Sequence, residues 1–86
     1  MASSNAEAYG ICDRTTCVIL VREDLSPQKA AETLWHEVLH AAYHGAGLTV
    51  GEHFEERTVN ALTFTTLQVI KDNPDLLVYL TEALDA

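Results

Sequence analysis

The residues best suited to chemistry in this chain are His36-Glu37-Val38-Leu39-His40. If that stretch is helical, the two imidazoles leave one face a turn apart, near enough to grip a single metal ion. Glu37 then lies about 100° round the helix and can reach a water on that ion. In most proteins with this arrangement the ion is zinc and the reaction is hydrolysis of a peptide bond. Manganese, cobalt or nickel could also sit between imidazoles and a carboxylate.

Two imidazoles leave zinc short of ligands, since a catalytic site has three protein ligands and one open position. The Met-turn pattern, which takes the third ligand from H-E-x-x-H-x-x-G-x-x-H, fails because Tyr43 stands at the glycine position and Ala46 at the last histidine. The better source is Glu55-Glu56. On a helical wheel centred on Val59 both carboxylates flank the apolar stripe, one on each side. A carboxylate at the margin of a core face is costly unless paired or metal-bound. Geometry alone leaves Glu55 and Glu56 both open. Tyr43, His44 and His53 are candidate donors to a developing oxyanion. A fourth protein ligand drawn from His44, His53 or Glu55 would instead close the site and make the ion structural.

The elements that must position these groups follow from punctuation and periodicity. Thr15 to Arg22 is rich in β-branched residues and is the one convincing strand. Tyr9 to Cys12 can pair with it, with a turn at Asp13-Arg14. Ser26-Pro27 starts a helix, Ser at the N-cap and Pro at the first turn. It should run from Pro27 to about Ala46, burying Leu34, Val38, Ala41 and Ala42 with Trp35 and Leu39 beside them, and ending at Gly45 and Gly47. A loop follows from Leu48 to Gly51. A second helix should span about Glu52 to Lys71 with Val59, Leu62, Thr66, Val69 and Ile70 as its stripe. Asn73-Pro74 should close it and cap a third helix that buries Leu76, Leu77, Leu80 and Leu84. The fold class expected is α+β and mostly α: a strand or hairpin, the H-E-x-x-H helix, a ligand helix and a short C-terminal helix.

The totals bound the rest. Eighty-six residues with 48% hydrophobic content make one small globular domain. Residues 9–86 form that domain, and Met1–Ala8 reads as a disordered leader. A formal charge of −8 argues against nucleic acid or an anionic membrane as the main partner. No apolar run reaches membrane-spanning length, and Met1–Ala8 lacks signal-peptide features, so a cytoplasmic location is the default. Cys12 and Cys17 are then thiols, with a disulfide across a turn as the alternative.

Thr33-Leu34-Trp35-His36-Glu37-Val38-Leu39-His40-Ala41 resembles the T-L-x-H-E-x-x-H-A signature of small phage and prophage zincin-like metalloproteins. Those are similar to ImmA/IrrE-type metallo-endopeptidases and minimal gluzincins. The stretches Glu55 to Leu62 and Gln68 to Pro74 resemble the downstream part of the same group. The resemblance covers Thr15 to about Pro74. It implies zinc held by His36, His40 and Glu56, with Glu37 as general base. The function expected is a zinc-dependent metallopeptidase acting on a peptide or protein, with the strand Cys17–Val21 holding the substrate backbone. The alternative is a zinc-stabilised binding or regulatory protein of phage origin without turnover. A homodimer that completes its sheet stays open.

Overall fold

The computed structural model describes residues 9–13, 15–16, 18–48 and 51–86. The expectations for the Met1–Ala8 leader, for Arg14, for a Cys12–Cys17 bridge and for Thr49-Val50 fall on residues outside that set. The order is β1 (Gly10–Asp13), β2 (Val18–Val21), α1 (Pro27–Gly45), α2 (Glu52–Asp72) and α3 (Leu76–Leu84). The fold is therefore mostly helical with one short antiparallel hairpin, as the sequence reading expected.

The hairpin pairs Gly10 with Val21 through to Asp13 with Val18. Asp13 sets its turn, its Oδ1 accepting from the Thr15 and Thr16 amides at 2.9 and 3.3 Å. Strand β2 is shorter than the Thr15–Arg22 run because Thr15 and Thr16 are spent on that turn. Its side chains alternate, Ile19 and Val21 half-buried and Val18 and Leu20 exposed. Period-two alternation is what a strand with one covered face should show.

Helix α1 is the centre of the molecule, in contact with α2 and with both strands of the hairpin. Its start is the one the residues dictate: Ser26 Oγ accepts from the Lys29 amide at 3.2 Å, and Pro27 occupies the first turn. Gly47, at φ 76°, takes the left-handed position just past the end.

The core differs from the expected stripes. Among the described residues the buried apolar ones are Cys12, Tyr43 and Val59, and the buried polar ones are Thr33, Glu37 and Thr63. Leu34, Leu62 and Val69 are exposed, and Trp35, Val38 and Leu39 are only half-buried. The face of α1 turned inward is the one bearing Thr33, Glu37 and the histidines, because the hairpin and α2 both press on that side. Trp35 still ties the helices together, its indole N–H donating to Thr66 Oγ1 at 2.6 Å.

Helix α3 also corrects the expectation. It begins at Leu76 rather than Pro74 because Asn73 is used to end α2, its side-chain amide donating to the Val69 carbonyl at 2.8 Å. Leu77, Leu80 and Leu84 are exposed, so α3 buries no leucine face. No helix among the described residues is long and apolar enough to cross a membrane.

Candidate metal centre

Because α1 is regular through the motif, His36 and His40 project together, and the first two turns of α2 face them. His36 Nε2 lies 3.2 Å from His40 Nε2. Glu56 closes the triangle, Oε1 at 3.3 Å from His36 Nε2 and Oε2 at 3.4 Å from His40 Nε2. Ligands at about 2.0–2.2 Å in a tetrahedral site stand roughly 3.3–3.6 Å from one another. The separation of the two Nε2 atoms is close to one edge of such a tetrahedron, and one oxygen of Glu56 lies within 4.8 Å of both. His36, His40 and Glu56 could therefore hold a metal ion.

The surrounding hydrogen bonds fix which nitrogens are free. His40 Nδ1 is 2.5 Å from Glu55 Oε2, so it is the N–H side of that ring. Thr63 donates its hydroxyl to the Val59 carbonyl at 2.6 Å, which leaves its oxygen to accept from His36 Nδ1 at 3.4 Å. Both Nε2 atoms are then lone-pair acceptors pointing at each other and at a carboxylate. With both rings neutral in that tautomer, two Nε2 lone pairs and the Glu56 carboxylate are available to a cation. A carboxylate behind a ligating imidazole orients the ring and raises its basicity. The donor chemistry of nitrogen, nitrogen and oxygen fits zinc and equally its first-row neighbours.

Glu55 and Glu56, adjacent in sequence, thus split their roles. Glu56 is exposed and joins the cluster, while Glu55 is largely covered and takes two histidines on one oxygen, His40 and, at 2.8 Å, His44 Nε2. Burial pushes the Glu55 carboxyl up, but the hydrogen bond from His40 and the charges of His44 and His40 outweigh it, so its pKa is lowered. Burial, and then the neighbouring charge of His40, lowers the His36 pKa, which favours the neutral ring that a metal needs.

Glu37 lies on the covered side of α1. It is 6% exposed, and its Oε1 has no hydrogen-bond partner among the described residues. Burial raises its pKa, opposed by His40 and assisted by Glu56. Gly10 of β1 packs over it: a Cβ there would come within 3.6 Å of Glu37 Cγ. An orphaned buried carboxylate oxygen is uncommon.

The remaining candidates separate cleanly. His44 is held by Glu55 and stands outside the three-donor group. Tyr43 is buried with its ring edge-on to His44, a packing role. His53 is exposed on the first turn of α2. The sequence reading missed Thr63. Its signal was available: it stands seven residues after Glu56, two turns along the same face.

Comparison with protein families finds no family model that matches the chain. Comparisons with curated proteins and with solved structures likewise find no match.

Proposed function

We propose that this protein is a zinc-dependent peptidase of minimal zincin type, akin to the small phage metalloproteins its signature resembles. The observation that carries the reading is Glu37, a buried carboxylate with an oxygen unpartnered among the described residues, next to His36 on α1 and within the electrostatic reach of His40 and Glu56. A purely structural zinc site would use a fourth protein ligand. Among the described residues the donor group stops at three, and the two nearest spare candidates, His44 and Glu55, are engaged with each other.

Zinc held by His36, His40 and Glu56 would polarise the peptide carbonyl and lower the pKa of a water to about 7. Glu37 takes the proton from the attacking water and returns it to the departing amine. Its raised pKa suits that return, because a carboxyl of ordinary acidity gives up a proton easily but holds one poorly. Glu55 and Thr63 hold the imidazoles in the tautomer that presents Nε2. The outer edge of β2, in a sheet of two strands, receives the substrate backbone in antiparallel pairing. The phage resemblance carries with it a location in the host cytoplasm.

Metal content and cleavage, measured together, test this. Zinc-loaded protein is incubated with casein and with a random peptide library, and new N-termini are read by mass spectrometry. The expected result is one zinc per chain and new termini from at least one substrate. Glu37→Gln should keep the zinc and lose roughly 10²- to 10⁴-fold in rate. Zinc bound and no new termini from either substrate would reduce the ion to a stabiliser of a binding protein.

A further inference from the structure

Thr33 and Glu37 of α1 lie under Gly10 of the hairpin, and Trp35 is tied to α2. Between those two sides, at about 100° per residue, run Lys29, His36 and His40, all three half-buried. Lys29 therefore stands in line with the candidate metal ligands, two turns and roughly 10 Å before His36. Its charge is felt there, since the ammonium opposes protonation of the His36 ring.

The hairpin comes to the same place. The Arg22 amide donates to the Tyr9 carbonyl at 2.8 Å, so these two residues form the open end of the hairpin. The Tyr9 ring meets both cations, 4.7 Å from Lys29 Nζ and 5.5 Å from Arg22 Cζ. Two of the five Lys and Arg residues of a chain carrying −8 thus gather at one end of the line. They are not equally available. Arg22 is taken up by Asp24, with Nε to Oδ1 at 3.0 Å and Nη2 to Oδ2 at 2.6 Å. Lys29 Nζ makes no hydrogen bond among the described residues. The nearest carboxylate among them is Glu32, its Oε1 4.0 Å away and its Oε2 accepting from Gln28 at 3.4 Å. An ammonium has three N–H donors, and the Tyr9 ring holds this one in place without using them.

Direction follows from the strand. Strand β2 runs from Val18 to Val21 and ends beside Arg22. A peptide paired antiparallel on its outer edge begins at that end, so residues on the N-terminal side of the bond to be cut pass Lys29. At ~3.3 Å per extended residue, the span from His36 to Lys29 is about three residues. We propose that Lys29 determines specificity: its ammonium takes an Asp or Glu side chain of the substrate, about three residues to the N-terminal side of the cleaved bond. This rests on the peptidase reading and on its use of β2.

Cleavage-site profiling with a random peptide library tests it, on zinc-loaded wild type, Lys29→Arg and Lys29→Glu. In the wild type, Asp and Glu should be favoured roughly fivefold over Ala at the second to fourth residue before the cut, and less so as salt is added. Lys29→Arg should keep the preference, and Lys29→Glu should reverse it towards Lys and Arg. Zinc content and circular dichroism check that each variant is loaded and folded. Cleavage by the wild type without an acidic preference on that side overturns the inference and leaves the peptidase reading standing. So does a preference that survives in Lys29→Glu. No cleavage by the wild type overturns the peptidase reading and this inference with it.

Discussion

Glu55 and Glu56 show how one residue step on a helix changes chemistry. About 100° of rotation sends Glu56 to the paired Nε2 atoms and Glu55 to the far side of His40. Glu56→Ala should therefore abolish metal binding, while Glu55→Gln should weaken it by roughly 10- to 100-fold and leave the stoichiometry unchanged. Competition against a chromophoric chelator separates the two outcomes. Glu37 carries a different signature. Its folded pKa is raised above the ordinary 4.5, so the folded state loses stability as pH rises from 4.5 through that raised value. Glu37→Gln removes this loss. In the metal-free protein the variant should melt higher at pH 7, by on the order of 1 kcal/mol, and the gain should vanish near pH 4, where the wild-type carboxyl is protonated folded or unfolded. Thermal melts of both proteins at several pH values check the sign.

At the level of elements, the hairpin matters because it covers the face of α1 that carries Thr33 and Glu37. Gly10 permits the contact. A Cβ there would stand 2.7 Å from Thr33 Cγ2 and 2.9 Å from the Leu20 carbonyl oxygen, and the carbonyl belongs to the paired strand and cannot swing away. Gly10→Ala should destabilise the fold by about 1–3 kcal/mol and lift β1 from Glu37. A denaturant melt gives the first effect, and faster amide exchange in β1 gives the second. Element starts were legible where a side chain announces them. Ser26-Pro27 was such a case, and Asp13 at the hairpin turn nearly so. Asn73-Pro74 misled because the asparagine amide can serve either the helix before it or the helix after it. It serves the one before.

For the whole molecule, the candidate metal site joins α1 to α2, beside the Trp35–Thr66 hydrogen bond. Among the described residues the buried apolar side chains are few, Cys12, Tyr43 and Val59, and a small domain with so slight a core commonly relies on a metal or an oligomer. Zinc at a hundred times its dissociation constant should stabilise the chain by about 2.7 kcal/mol, and chelator should reverse that fully. His40→Ala should melt at the same temperature with or without zinc. Differential scanning calorimetry at fixed protein concentration measures both, and keeps any contribution from dimerisation constant.

The sequence by itself determined the pairing of the two imidazoles, since H-E-x-x-H on a helix places both rings on one face whatever packs against it. It also determined the helix that carries the motif and the class of fold. Only tertiary structure decided between Glu55 and Glu56, because both flank the stripe and the choice depends on how far α2 is rotated against α1. Tertiary structure also turned Thr33 and Glu37 inward and left Leu34, Leu62 and the α3 leucines outside. Periodicity reports that a helix has an apolar face. Which face is covered depends on where its neighbours lie, and that is a property of the packed chain rather than of any one segment.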